Sequence, residues 1–278
     1  MRDNRDRFGP AAIDNGTNPA AAVSGLGFVV PTEFVELPSK GKFYPDEHPL
    51  HKQETVEIKY MTAKEEDILA SSTLIKKGLV IDRLLDNILV PDIDPTTLLV
   101  GDRSAIMIAA RISSYGYPYK AHITCASCLK EQDYDFDLRK TNLNQKCFDL
   151  TFLRKNKIVF NEEKCIFEMT LPTSKIILGV RMLDGQDEKE ALDNEGQDRE
   201  NIVTNAISKF ASSVDGKEDP AVVSQFINNM LASDSRYLRA VIADLTPSID
   251  LKQSFVCDGC GEEEDREVPL TAEFFWPE

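Results

Sequence analysis

The sequence predicts an α+β fold, in which a small strand-and-helix module is followed by a mainly helical insertion and a short C-terminal segment. Three observations support this prediction. Extended apolar segments alternate with helix-like segments over residues 28–138. Helical periodicity dominates the part of the chain that follows Ser174. Two similar strand–turn–strand segments, at 117–138 and 254–270, stand on either side of the insertion.

Changes in composition divide the 278 residues into four segments. Residues 1–27 are rich in Gly, Ala, Asn and Pro without periodicity, which predicts a flexible N-terminal arm. We expect a strand-and-helix module over 28–138 and a strand-rich, then helical insertion over 139–252. Residues 253–278 then form a second cysteine turn and an aromatic C-terminus.

The first module opens on a segment rich in turn-forming residues, ELPSKGKFYP, at 36–45. Pro38 fixes its own φ angle and favours an extended conformation at Leu37, while Gly41 is free to adopt a positive φ. The alternating segment that follows, residues 55–61, predicts a strand.

Three helices are then predicted as far as residue 116, because apolar residues recur at helical spacing. Their boundary signals, in chain order, are the capping-box pair Thr62 and Glu65, the breakers Gly78 and Pro91, the N-cap Asp102 and the C-terminal stop Gly116.

The insertion is read as strand-rich over residues 149–173 and helical from Ser174, including the segment IILGVRMLD. The acidic stretch 184–201 is expected to be a solvated loop or a frayed helix. Pro220 is placed in a first helical turn, and Ser233 and Asp234 are expected to separate the last two helices.

Four of the six cysteines form two CxxC pairs, Cys125 with Cys128 and Cys257 with Cys260. The opening residues lack a continuous apolar run, so we expect no signal peptide and a cytoplasmic chain with reduced thiols. Because both pairs have the same flanks, an apolar strand before and an acidic turn and strand after, we predict that they meet. Four thiolates in tetrahedral arrangement suit zinc, so one structural Cys₄ site is expected in a zinc ribbon split by the insertion.

The separation of the pairs leaves alternatives open, since 128 residues lie between Cys128 and Cys257. A redox CxxC site, two disulfides or thiols without a metal are the other interpretations. If zinc is bound, its four protein ligands leave no position for water, and catalysis at the metal is not expected. Cys147 and Cys165 stand alone in apolar, strand-like segments and are expected to be small buried hydrophobic residues.

The composition argues against several functional classes. The net charge is −15 and the basic residues are scattered, which disfavours nucleic-acid binding. No apolar run approaches the length of a membrane span. We find no nucleophile elbow, phosphate-binding loop or dinucleotide fingerprint, and therefore expect no enzymatic activity and no small-molecule substrate. A metal pair at His48 and His51 lacks a completing carboxylate motif.

Several segments, taken in order, resemble the baseplate hub assembly proteins of T-even-type contractile-tailed bacteriophages. They are ELPSKGKFYP at 36–45, VEIKYMTAKEEDIL at 56–69 and GDRSAIMIAARISSYGYPY at 101–119, followed by the first CxxC turn. The likeness covers about residues 28–138 and returns at the C-terminal cysteine turn. It implies a non-enzymatic role in building the baseplate hub, as a hub subunit or as an assembly chaperone.

The same resemblance implies other phage hub proteins as partners, in the host cytoplasm during assembly and, for a retained subunit, in the virion tail baseplate. The rival interpretation is a phage zinc-ribbon accessory protein for transcription or nucleic-acid transactions. Two segments are candidates for partner contacts, with core packing as the alternative for each. Their residues are Pro38, Ser39, Lys40, Gly41, Phe43 and Tyr44 in the turn, and Phe275 and Trp276 near the C-terminus.

Overall fold

The computed structural model describes residues 29–193, 201–268 and 272–275. The chain divides at Pro31 into two units, and every helix and strand described below belongs to the second, Thr32–Glu278. The predicted N-terminal arm and Trp276 lie outside the described residues.

The first module combines a two-stranded antiparallel sheet with helices, as the sequence predicts. Its elements are β1 (Thr32–Glu36), β2 (Thr55–Lys59), α1 (Ala63–Ala70), α2 (Ser72–Lys76), α3 (Val80–Ile88) and α4 (Val100–Tyr115). The predicted capping box at Thr62 and Glu65 is present at the start of α1. Ser71 separates α1 from α2, because its side chain accepts a hydrogen bond from the Leu74 amide and caps the second helix.

The boundaries of α4 confirm one prediction and correct another. Gly116 follows the helix at a φ of 81°, a conformation that glycine tolerates. The prediction that Asp102 is the N-cap is wrong, since Leu99 holds that position. Asp102 instead lies in the first turn, where its side chain is fully buried.

The remaining chain forms two hairpins and a sheet-and-helix insertion between them. The first hairpin is β3 (Pro118–Thr124) and β4 (Glu131–Asp137). The insertion contains, in order, β5 (Asn142–Asn144), α5 (Leu150–Lys155), β6 (Ile158–Asn161), β7 (Ile166–Thr170), β8 (Ile177–Arg181), α6 (Gly185–Asp193), α7 (Ile202–Phe210), β9 (Ala211–Val214), α8 (Pro220–Asn228), α9 (Ala232–Leu245) and β10 (Ser248–Asp250). The second hairpin is β11 (Lys252–Val256) and β12 (Glu263–Glu267).

Sheet topology explains how the insertion leaves and re-enters the ribbon. Strands β6, β7, β8 and β9 form one antiparallel sheet in that order. Strand β5, just after the first hairpin, pairs with β10, just before the second, with Leu143 opposite Ile249. The two ends of the insertion therefore lie side by side, which brings the two hairpins together.

Three secondary-structure predictions in the insertion are wrong. Residues 150–155 form a helix rather than a strand, because the Asp149 carboxylate accepts a hydrogen bond from the Thr151 amide at 2.8 Å and caps it. Residues 177–181 form the inner strand β8 rather than a helix, since a short apolar run fits either element. Ser233 and Asp234 lie inside α9, and residues 229–231 separate the last two helices.

One hydrophobic core extends through both the first module and the insertion. Phe43 from the N-terminal turn packs against three rings of the insertion, with centroid distances of 5.4 Å to Phe148, 5.2 Å to Phe160 and 5.1 Å to Phe167. The domain boundaries expected at residues 138 and 252, as limits of separate folding units, stay predictions. The predicted α+β class is confirmed, with the four paired cysteines close together.

Candidate metal centre

Each CxxC pair forms the same tight turn at the end of its hairpin. In the first, the amide of Leu129 donates to the carbonyl of Cys125 at 3.0 Å, and the amide of Cys125 donates to the carbonyl of Lys130 at 2.9 Å. The second hairpin repeats both bonds from Gly261 and Cys257, each at 2.9 Å. The similarity that the sequence predicts between the two segments therefore extends to backbone geometry.

The residue after the second cysteine has a positive φ in both turns, 59° at Leu129 and 73° at Gly261. Glycine adopts this conformation without penalty, whereas a residue with a Cβ atom pays roughly 1–2 kcal/mol there. The turn thus keeps its shape even where the local residue disfavours it. In the first turn, the hydrogen bond from the Leu129 amide to the Cys125 carbonyl is present in spite of this cost.

The four sulfur atoms all lie within 4.8 Å of one another. The Sγ atoms of Cys125 and Cys260 are 3.7 Å apart, and those of Cys128 and Cys257 are 3.6 Å apart. A zinc ion about 2.3 Å from four tetrahedral sulfurs places them about 3.8 Å from one another, whereas a disulfide needs about 2.05 Å. The thiols therefore fit one tetrahedral metal ion and do not fit disulfides. Cys125 and Cys257 are buried, and Cys128 and Cys260 are exposed.

Two glutamines join the hairpins to each other, Gln132 next to the cysteine turns and Gln253 at the opposite end of the hairpins. The Gln253 amide donates to the carbonyl of Asp137 at 2.9 Å and accepts from the amide of Asp137 at 3.2 Å. Gln132, which is buried, accepts from the amide of Asp258 at 3.0 Å. Sequence reasoning missed both residues, although a glutamine at an inward position of an alternating strand was an available signal. These bonds hold the two hairpins together independently of any metal.

Backbone amides around Cys257 favour its thiolate form. Hydrogen bonds from the amides of Cys260 and Gly259 lower the pKa of the Cys257 thiol to about 7, and the Gly259 nitrogen lies 3.3 Å from its sulfur. Metal ligation requires thiolates, so a thiol that ionises near neutral pH is a suitable ligand. The same amides would hold the bound thiolate in orientation.

Acidification is expected to release a metal ion held by the four cysteines. Protons compete for the thiolates, so the apparent affinity for the metal should fall as the pH is lowered, by up to about tenfold per pH unit for each proton taken up. The check is a titration from pH 8 to pH 4, in which a chromophoric chelator measures metal released from the purified protein. Full retention at pH 4 would contradict thiolate ligation.

The segment ELPSKGKFYP is fixed by the buried carboxylate of Asp102. Its two oxygens accept hydrogen bonds from the Ser39 amide at 2.9 Å, the Ser39 hydroxyl at 2.5 Å and the Tyr44 hydroxyl at 2.8 Å. Burial raises the pKa of the Asp102 carboxyl, while these hydrogen bonds oppose the rise. A Cβ atom on Gly41 would lie 2.4 Å from the Leu50 carbonyl oxygen, so this turn requires glycine. No sequence pattern links Asp102 to Ser39, and the pairing was missed.

The turn residues expected to contact a partner lie mostly inside the protein. Their side chains are buried at Pro38, Ser39, Phe43 and Tyr44, and the backbone of Gly41 is buried with them. This burial favours the alternative interpretation, in which the turn holds the N-terminal segment against the core. Lys40 is half-buried, with its ammonium 5.4 Å from the centroid of the Phe148 ring.

The C-terminal aromatic residues within the described part also pack inward. Phe275 and Phe274 are buried, and Phe274 makes an edge contact with Tyr119 of β3 at 5.2 Å between centroids. The buried guanidinium of Arg111 donates to the Phe274 carbonyl at 2.8 Å. These contacts favour core packing over partner insertion for Phe275.

The other candidate ligands are used in structural contacts. His48 stacks on Tyr44 with 4.2 Å between ring centroids, and its Nε2 lies 3.0 Å from the Thr97 hydroxyl. Cys147 is buried, as expected, but lies in the short helical turn Lys146–Phe148 rather than a strand. Cys165 is half-exposed in the turn between β6 and β7, where its φ is 52°. Within the described ranges, the four paired cysteines are the one cluster found that suits a metal ion.

Comparison with known proteins identifies the family. The family model described as T4 bacteriophage base plate protein matches residues 30–276. No curated protein and no solved structure matches the chain significantly. Among the helices described, none has the length and apolarity needed to cross a bilayer. Since the match spans nearly the whole chain, including both cysteine turns, this protein belongs to the T4 bacteriophage base plate protein family.

Proposed function

We propose that the chain is a non-enzymatic protein of the baseplate hub pathway, acting as a hub subunit or as an assembly chaperone. The observation that supports this role is the match to the base plate family over residues 30–276. The resemblance of segments 36–45, 56–69 and 101–119 to hub assembly proteins narrows the proposal from baseplate to hub. Its partners are then other phage hub proteins, met in the host cytoplasm during assembly.

The proposed cofactor is one structural zinc ion held by Cys125, Cys128, Cys257 and Cys260. The sulfur spacing and the facing turns support it. With all four positions taken by protein, the ion would serve as a cross-link between the middle and the end of the chain. That cross-link would hold the two hairpins as one ribbon while the protein contacts its partners.

Partner contact through the turn is proposed for Lys40 rather than for the whole segment. Of the six turn residues predicted to contact a partner, Lys40 is the one with a partly exposed side chain. Contact through Trp276 stays a prediction, because that residue lies outside the described ranges.

The rival, a zinc-ribbon protein of transcription or nucleic-acid transactions, is disfavoured by the surface of the ribbon. One strand of each hairpin exposes carboxylates at alternate positions, namely Glu131, Asp133 and Asp135 on β4 and Glu263, Asp265 and Glu267 on β12. A nucleic-acid backbone is repelled by such a surface.

The test is quantitative mass spectrometry of infected cells, separated into assembly intermediates and finished particles. The protein is captured from each fraction, and the proteins that accompany it are counted. If hub proteins accompany the protein only in assembly intermediates, it is a chaperone. If the protein is present in finished particles at a fixed copy number, it is a hub subunit. Association with polymerase or nucleic acid instead would overturn the proposal in favour of the rival.

A further inference from the structure

An apolar groove lies on the surface between helices α7 and α9. It has a volume of about 260 Å³ and is lined by Ala206, Ile207, Phe210, Arg239, Ile242 and Ala243. We call it the α7–α9 groove. It belongs neither to the cysteine cluster nor to the N-terminal turn.

The exposed side of α7 extends this apolar surface. Ile202 is 68% exposed and Val203 is 42% exposed, and both precede Ala206 by three or four residues on the helix. Side chains at that spacing lie on one helical face. Isolated exposed apolar residues are ordinary, but a continuous apolar face beside a groove is typical of an interaction site.

Helices α7, α8 and α9 together carry three basic and two acidic side chains, unlike the strongly acidic protein as a whole. Net charge is −15, yet α7 and α8 contain no carboxylate residue. The two carboxylates of α9 already have partners within the protein. Asp234 accepts hydrogen bonds from the amides of residues 173 and 174, and Asp244 forms an ion pair with Lys146 at 2.6 Å.

Two cations lie on the groove side of α9, and a third is on α7. Arg239 lines the groove, Arg236 precedes it by one helical turn, and Lys209 stands on α7. Within the ranges that the structure describes, none of the three forms an ion pair. Their charges are therefore available to an acidic partner, and apolar packing with complementary charge gives both affinity and selectivity.

From this combination we propose that the α7–α9 groove binds an acidic amphipathic helix of another baseplate protein. Apolar residues spaced three and four apart would fill the groove, and carboxylates beside them would face Arg236 and Arg239. Helix α7 has nine residues and is about 14 Å long at 1.5 Å per residue, so the groove accommodates two to three turns of a partner helix. Residues 194–200, which precede α7 in the sequence as NEGQDRE, include no apolar side chain that could fill the groove.

This inference rests on the proposed function only where it names another baseplate protein as the source of the partner helix. To test it, the photo-crosslinking residue benzoylphenylalanine replaces Ala243 or, as a control on the ribbon, Lys120. Infected cells carrying a mixture of isotopically light and heavy protein are irradiated, and crosslinked peptides are sequenced. We expect position 243 to capture a peptide of a different phage protein, with net negative charge and apolar residues at helical spacing.

That peptide is then synthesised and its affinity measured by fluorescence anisotropy. Ala243→Glu and Arg239→Glu should each weaken binding at least tenfold, while Lys120→Glu leaves it unchanged and added salt weakens it. Melting temperatures show whether each variant is folded. The inference is overturned by capture of this chain's own peptides, by capture of a peptide without acidic residues, or by equal capture at position 120. It is also overturned if Ala243→Glu binds normally, and hub association in the earlier experiment would then still stand.

Discussion

Cys257→Ser is expected to remove the metal and to lower the stability of the protein together. The proposed zinc ion would connect residues near 125 and 257, and a cross-link that closes a loop of about 100 residues stabilises a protein by roughly 4–5 kcal/mol in the chain-entropy description. We therefore expect a loss of about 3–5 kcal/mol, which lowers the melting temperature by roughly 10 °C for a chain of this size. Metal content by mass spectrometry and thermal unfolding are measured on the same samples.

Cys165→Ser is the matched control, because Cys165 is half-exposed and lies outside the cluster. It should keep full metal content and change the melting temperature by little. The Gln132 and Gln253 hydrogen bonds and the shared core persist without metal, so Cys257→Ser should remain folded at room temperature. Unchanged zinc content in Cys257→Ser would refute the split ribbon.

Asp102→Ala is expected to destabilise the protein by about 3–5 kcal/mol. The substitution leaves the Ser39 amide, the Ser39 hydroxyl and the Tyr44 hydroxyl without their acceptor inside the core, and buried unsatisfied donors are costly. Asp102→Asn keeps the shape and one acceptor oxygen, so it should cost less, about 2 kcal/mol. Chemical denaturation at neutral pH measures both.

Exposed Asp92 provides the control, since Asp92→Asn should change stability by less than about 0.5 kcal/mol. Tyr44→Phe combined with Asp102→Asn then forms a double-mutant cycle. Because the Tyr44 hydroxyl donates a hydrogen bond to Asp102, the losses of stability in the two single variants should not add in the double variant. Additive losses, or a stable Asp102→Ala variant, would show that this contact does not fix the turn.

Local chemistry made part of this protein predictable. The capping box at Thr62 and Glu65 and the stop at Gly116 depend on bonds within one turn of chain, and both are found where expected. The family resemblance and the convergence of the two CxxC pairs also came from the residues themselves, because matching flanks predict matching hairpins.

Other features depended on contacts that no local pattern contains. Residues 177–181 are a strand because β7 and β9 lie on either side of them. Phe43 and Tyr44 looked suitable for a partner, yet aromatic rings of the insertion and the carboxylate of Asp102 surround them. Since side chains far apart in sequence supply these interactions, propensity and spacing could not reveal them.

The sequence by itself determined the α+β class, the family and the four cysteines that meet. Only the tertiary structure decided how they meet: the ends of the insertion pair as β5 and β10, and Gln132 and Gln253 join the hairpins. Tertiary structure also decided that the N-terminal turn faces the core, and that apolar and basic side chains of α7 and α9 share one groove. The physical reason is that short-range hydrogen bonding is encoded residue by residue, whereas burial and charge complementarity arise only when distant segments pack.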